Sequence, residues 1–343
     1  MGHRIAVFGA SGYAGGELVR IVDAHSDLEL TYLAGHSTAG GRLGDVHPQL
    51  AGGDRPIGPM DVDVSGDVDL VFLSLPHGAS AEPAVALRQT GVPVVDLGSD
   101  FRLHSPDLYQ RTYGTAHPHP DQLGAWQYGL PELHRRQIAT STQVAAPGCY
   151  PTSVILAMTP LLAAGLVEPT ITVDAMSGVS GAGRGVKEGL MFGAVAEGVA
   201  AYGLPTHRHR PEMEQALAEA SGVTPIVAFT PHLVPMQRGL HSTCHAPLAD
   251  LATTTDDIVS CLRDVYADDV FVDVVDGPPQ TRWVVGSNRC LISAHVDPHS
   301  GTVTVISVID NLVKGAAGQA VQCANLMLGI GESTGLSLDG WMP

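Results

Sequence analysis

The sequence predicts an α/β protein in two parts: an N-terminal, doubly wound parallel sheet, then an α+β domain on a mixed or antiparallel sheet. Three observations carry this. Over the first hundred residues, short apolar runs of strand length alternate with helix-length segments, the pattern of a parallel sheet crossed over by helices. A glycine-rich turn, Gly9-Ala10-Ser11-Gly12-Tyr13-Ala14-Gly15, joins the first strand to the first helix. Beyond Cys149 the apolar runs grow longer and more separated, and 343 residues exceed what one ordinary core holds.

In chain order, residues 4–8 read as a short buried strand, 9–16 as a turn and 17–24 as a helix. Strands follow at 28–34, 69–74 and 93–96, with a helix near 79–89. After Cys149 the strands are 171–176, 224–230, 240–246, 289–296 and 302–309. Helices lie near 152–164, 211–220 and 255–266. The last helix, 316–328, is rich in Ala, Gln and Leu with few charges, so it should be largely buried and pack back onto the first domain. The first domain is therefore expected at 1–148, completed by 312–343, and the second at 149–311.

Composition narrows the function. The net charge is −17, from 35 acids and 18 bases, which argues against nucleic acid and anionic membrane as partners. A few local cations can still hold a small anionic substrate. Apolar runs reach only strand length, so no membrane span is expected, and the start runs straight into a strand pattern rather than a signal peptide. Five scattered cysteines without a CxxC pair suit a reducing compartment such as the cytoplasm.

The most informative segment is Ala146-Pro147-Gly148-Cys149-Tyr150-Pro151-Thr152. It places a cysteine in a tight turn at the start of a helix. The positive end of the helix dipole and the unpaired first-turn amides favour thiolate there, and the thiolate is the nucleophile. The Gly9–Gly15 turn lets backbone approach a pyrophosphate at a helix N-terminus, although its spacing differs from G-x-G-x-x-G. At the end of the second strand a carboxylate would read a ribose 2′-hydroxyl. The stretch here offers His36, Ser37, Thr38 and Arg42 and no acid, which favours NADP over NAD.

His207-Arg208-His209-Arg210-Pro211-Glu212 is the densest cationic and aromatic cluster. A histidine near the thiol could take its proton and later serve an oxyanion. No compact set of Cys, Asp or Glu accompanies the two histidines, so a metal is not expected. Arg102, Arg184 and Arg238 are candidates for gripping phosphate or carboxylate, and spacing does not assign one to each.

These pieces occur together, in order, over nearly the whole chain, which resembles the N-acetyl-gamma-glutamyl-phosphate reductase family. The matching segments are G-A-S-G-Y-A-G at 9–15, S-L-P-H-G at 74–78, D-F-R-L at 100–103, Y-G-L-P-E at 128–132 and P-G-C-Y-P-T at 147–152. They continue with S-G-x-S-G-A-G-R at 177–184, H-R-H-x-P-E at 207–212, G-S-N at 286–288 and D-N-L-V-K-G-A-A-G-Q-A at 310–320. The resemblance implies a Rossmann-type NADP domain and a catalytic, oligomerising domain like that of semialdehyde and glyceraldehyde-3-phosphate dehydrogenases. It implies Cys149 as nucleophile and His207 as acid-base partner; whether His209 shares that role is open. The implied cofactor is NADP(H), which would be held by Gly9, Ser11, Gly12, Tyr13, Ala14, Gly15, Ser37, Thr38, Ser74, Leu75, Pro76, Ser177, Gly178 and Asn311. By the same resemblance, Arg102, Arg184, His209 and Arg238 would bind the substrate. The implied reaction is reduction of an acyl phosphate through a cysteine thioester in arginine biosynthesis, by a homodimer or homotetramer. Aspartate-semialdehyde dehydrogenase and a reductase of carrier-linked acyl phosphates are the alternatives. One departure is Ser153, where the family more often has Ala or Gly.

Overall fold

The computed structural model describes residues 2–342. The chain divides into two units, residues 1–147 with 316–336, and 148–315 with 337–343. The first contains six strands: β1 (His3–Phe8), β2 (Leu28–Ala34), β3 (Leu70–Leu73), β4 (Val94–Asp96), β5 (Gln127–Tyr128) and β6 (Gln143–Ala145). Their order is β2-β1-β3-β4-β6-β5 and all pairs are parallel. The order reverses direction beside β1, the switch point at which open α/β sheets bind ligands. β1, β3 and β4 are buried almost throughout, as strands covered on both faces must be.

The first helix, Tyr13–Asp23, begins earlier than its composition suggests. Gly15 and Gly16 read as turn residues but lie inside it. Close packing explains them: a Cβ at Gly15 would stand 2.2 Å from Gly9 O, and one at Gly16 would stand 2.4 Å from the His47 ring. Two helices, Pro106–Tyr113 and Pro131–Thr140, were not expected. Both are polar on average and open with proline, which fits the first turn of a helix.

The C-terminal helix, Gly318–Met327, belongs to this first unit and is buried over most of its length. Its amides are engaged, though Gln319 Oε1 is buried without a hydrogen-bond partner. Gln319 donates to Gly129 O at 2.7 Å, and Gln322 donates to Glu132 at 3.0 Å and Glu332 at 2.8 Å. Asn325 Oδ1 lies 3.1 Å from His25 Nε2. Residues 337–342 group with the second unit. There the Trp341 ring covers Gly286, and the Trp341 backbone N–H donates to Val285 O at 2.8 Å.

The second unit carries a seven-stranded mixed sheet. Its strands are β7 (Thr170–Gly178), β8 (Ala200–Ala201), β9 (Ile226–Val234), β10 (Leu240–Pro247), β11 (Val272–Val274), β12 (Cys290–Asp297) and β13 (Thr302–Ile309). The order is β11-β12-β13-β10-β7-β9-β8. β7–β9 and β11–β12 are parallel, the rest antiparallel. The helix Cys149–Ala163 lies against β10 and β13, with Tyr150–Leu162 all buried. Pro160 cannot donate to Leu156 O; the Tyr266 hydroxyl does so instead, at 2.6 Å. The nucleophile candidate thus stands on a fixed platform.

Candidate active site

In the first unit, the glycine turn carries the cofactor candidates Gly9, Ser11, Gly12, Tyr13, Ala14 and Gly15. Gly9 has φ +87°, and a Cβ there would stand 2.2 Å from Ser74 O. The fold itself therefore requires glycine at 9 and 15. Gly12 is different: a Cβ there would meet only Gly9 O at an ordinary 3.6 Å. Gly12 caps the helix with no side-chain acceptor, and no acid occupies the first turn. First-turn amides with no cap are an anion site, and the bare Gly12 keeps it open. A pyrophosphate fits this cradle.

Ser37 and Arg42 are exposed after β2, and Thr38 Oγ1 is buried against Gly35 without a hydrogen-bond partner. Ser74, Leu75 and Pro76 follow β3; Ser74 N donates to Phe8 O, which ties the segment to the turn.

Behind S-L-P-H-G lies a carboxylate pair. Ser80 Oγ is 2.9 Å from both Asp96 Oδ2 and Asp100 Oδ2. One hydroxyl proton cannot serve both. Burial pushes Asp96 up to about 7. Burial acts on Asp100 in the same direction, but His77, the Gly78 amide and the Ser80 hydroxyl hold it down at about 2. Of the pair, Asp96 therefore takes a proton the more readily, and Asp100 keeps its charge.

Arg102, a candidate for gripping an anion, bonds to backbone carbonyls. It is buried, with Nε donating to Ala146 O at 2.9 Å and Nη2 to Leu97 O at 2.7 Å. It holds the chain three residues before the cysteine.

In the second unit, Cys149 is the first residue of its helix, capped by Gly148 with no side-chain bond and no acid in the first turn. It is half-buried. Glu212, fully buried, accepts the Gly148 N–H at 2.8 Å and so fixes the turn that presents the thiol. Glu212 stands in the H-R-H-x-P-E segment but carried no role from sequence. Its partner lies 64 positions away, a distance no local pattern reveals.

His207 lies in an aromatic box. Its ring is 5.7 Å from Tyr150, 5.4 Å from Tyr202, 5.2 Å from Phe229 and 4.9 Å from His209, centroid to centroid. Burial and then the Arg208 charge push it down to about 4. Its Nδ1 accepts the His209 N–H at 3.2 Å. A neutral ring whose Nδ1 accepts must carry its hydrogen on Nε2. His207 is thus arranged to donate, the second of the two roles, proton acceptor and oxyanion partner, that the sequence suggests for it. His209 is buried and orients His207 through its backbone.

Tyr202 donates to Tyr150 Oη at 3.0 Å, and Tyr150 to His232 O at 3.4 Å. Burial raises both phenols, Tyr202 to about 12, and a negative charge at Cys149 acts in the same direction.

Ser177 is buried and Gly178 packs on Gln237, where a Cβ would stand 2.8 Å away. The Asn311 amide is engaged: its Oδ1 accepts Gly239 N–H at 2.8 Å and its Nδ2 donates to Ser180 at 3.0 Å. Arg184 is exposed on the loop after β7. Arg238 pairs with buried Asp310 at 3.3 Å, under the Trp341 ring at 5.4 Å. Ser153 is satisfied by Ser242 and Ser307 hydroxyls, each at 3.0 Å. Among the described residues no group of three or more His, Cys, Asp or Glu is placed to hold a metal.

Residues 4–141 match the semialdehyde dehydrogenase NAD binding domain, and residues 149–311 the semialdehyde dehydrogenase dimerisation domain. An N-acetyl-gamma-glutamyl-phosphate reductase of Dehalococcoides mccartyi (strain BAV1) is 46% identical over 342 residues, 99% of each chain. The chain belongs to the N-acetyl-gamma-glutamyl-phosphate reductase family. A member from Acidothermus cellulolyticus is 46% identical over 351 residues and all of both chains. The fold of this reductase family member is shared with aspartate semialdehyde dehydrogenases. The enzyme from Candida albicans with NADP aligns with TM-score 0.74 at 15% identity, covering 96% of this chain and 99% of that one. Enzyme II from Vibrio cholerae aligns with TM-score 0.72 at 18% identity and the same coverage. As a family member the protein is an oxidoreductase with a nicotinamide-binding domain and a dimerisation domain. Among the described residues no helix is long and apolar enough to cross a membrane.

Proposed function

We propose that this protein reduces N-acetyl-gamma-glutamyl phosphate to N-acetylglutamate 5-semialdehyde with NADPH, through a thioester on Cys149. The observation that carries the reading is a cysteine at the N-terminus of a fully buried helix, its turn held by Glu212, within a chain 46% identical to reductases of that name. The Cys149 thiolate attacks the acyl carbon, and phosphate departs with the C–O electron pair, taking a proton from solvent. Arg238 and Arg184 are the cations of the second unit we assign to phosphate and carboxylate. NADPH, when bound, would supply the hydride that reduces the thioester. His207 Nε2–H donates to the oxyanion that results, in the manner of a preorganised oxyanion hole. The thiohemiacetal then collapses, the C–S bond breaks, and aldehyde leaves with the thiolate restored.

The test runs in reverse: N-acetylglutamate semialdehyde, phosphate and NADP should give phosphate-dependent reduction of NADP. Aspartate semialdehyde as the better substrate would overturn the assignment, and strict need for a carrier-linked aldehyde would move it to the carrier-linked class. The dimerisation domain supports a homodimer or homotetramer.

We also propose NADP over NAD. No carboxylate ends β2, and Ser37, Thr38 and Arg42 are there instead. Charge-assisted bonds to a 2′-phosphate contribute about 1.5–3 kcal/mol each, enough for tenfold preference or more. Ser37→Asp should weaken NADP by like-charge repulsion and affect NAD less. The measurement is kcat/KM for both cofactors; an unchanged ratio would show that this loop does not read the ribose.

A further inference from the structure

We infer that Gly315 is a positioning residue for the nucleophile: the turn after β13 sets its bare Cα against Cys149 and so fixes where the sulfur stands. This rests on Cys149 being the nucleophile. β13 ends at Ile309, and Asp310 beside it is fully buried. The Asp310 carboxylate gathers four donors. Oδ1 accepts from the amides of Leu312 at 2.8 Å and Val313 at 3.3 Å. Oδ2 accepts from Gly286 N at 2.7 Å and Arg238 Nη1 at 3.3 Å. The Asp310 carbonyl accepts the Gly315 N–H at 2.9 Å. Residues Val313–Ala317 then form a single π turn, a local widening found often at functional sites.

These bonds hold Gly315 to the end of a sheet strand, and what it faces is Cys149. A Cβ at 315 would lie 2.7 Å from Cys149 Cβ and 3.2 Å from its Cα. Contacts under 3.0 Å essentially never occur between real Cβ atoms and their neighbours. Gly315 is not among the glycines with positive φ, so its backbone does not require glycine. The contact with Cys149 does. Neither side retreats easily: Cys149 opens a helix buried along its length, and the turn is held at Asp310. A side chain at 315 would displace the thiol.

The test uses the whole enzyme. In Gly315→Ala, kcat should fall by about 10–100-fold, the scale of a sub-ångström to ångström misplacement of a reacting group, while KM for NADPH stays within about twofold. The rate at which iodoacetamide alkylates Cys149, and the pH midpoint of that rate, should change with it. A double-mutant cycle in melting temperature reads the contact apart from activity. Gly315→Ala should be far less destabilising in a Cys149→Gly background, where the clashing Cβ is gone, because contacting residues couple. This arm also serves if the single variant folds poorly. Additive melting temperatures, or wild-type kcat in Gly315→Ala, would overturn the inference. Turnover surviving in Cys149→Ser would instead overturn the nucleophile reading, a result separable from the cycle.

Discussion

Cys149→Ser is expected to lose turnover by roughly 10⁴-fold or more, the scale of removing the nucleophile from other covalent enzymes, while still binding NADP. The physical reason is protonation. A serine hydroxyl stays protonated near neutral pH, and a helix N-terminus cannot ionise it. The Gly9–Gly15 turn, the proposed pyrophosphate cradle, is unchanged by the substitution, so NADP titration by fluorescence should give a near wild-type Kd. The same experiment has a companion in the wild type: Cys149 should be alkylated first of the five cysteines. Burial pushes the Cys244 thiol up to about 12, and raises Cys261 as well; Cys290 and Cys323 are buried. Turnover of Cys149→Ser within a few-fold of wild type would end the thioester mechanism.

His207→Ala is expected to lower kcat by about 10²–10³, the cost of one oxyanion donor, with little change in cofactor affinity. Its pH dependence separates donor from base. Because burial holds the ring down at about 4, it is neutral above that pH; Nε2–H is present in both protonation states, and what is lost as pH falls through about 4 is the Nδ1 acceptor of the His209 amide. Between about pH 5 and 8 the wild-type profile should show no histidine step near the ordinary value of about 6.5. His207→Ala should lower the whole profile without reshaping it. A step near 6.5 that vanishes in the variant would restore His207 as a base. Damage confined to His209→Ala would shift the role to that residue.

Much of the fold was legible because its cause was local. Residues 28–34 and 302–309 are apolar runs bounded by turn formers, and both are strands over those bounds. The helices Pro106–Tyr113 and Pro131–Thr140 escaped notice because polar segments show no apolar stripe, although Ser105 caps the first through Leu108 N. The glycine turn misled in its extent for a different reason. Gly15 and Gly16 are helical, and they are glycine because Gly9 O and the His47 ring leave no space.

The sequence by itself determined the family and the succession of the longer strands, and it singled out Cys149 and His207 as candidates. Those depend on residue types at fixed spacing, and one chain displays them directly. The tertiary structure decided how the groups are used. Arg102 faces backbone carbonyls, Asn311 ties Gly239 to Ser180, and His207 presents Nε2–H because its Nδ1 takes the His209 amide. Glu212 reaches Gly148 across 64 positions, and Gly315 meets Cys149 from the far end of the last strand. Hydrogen-bond direction, burial and van der Waals distance are properties of atoms brought together in space, and spacing along the chain does not encode them.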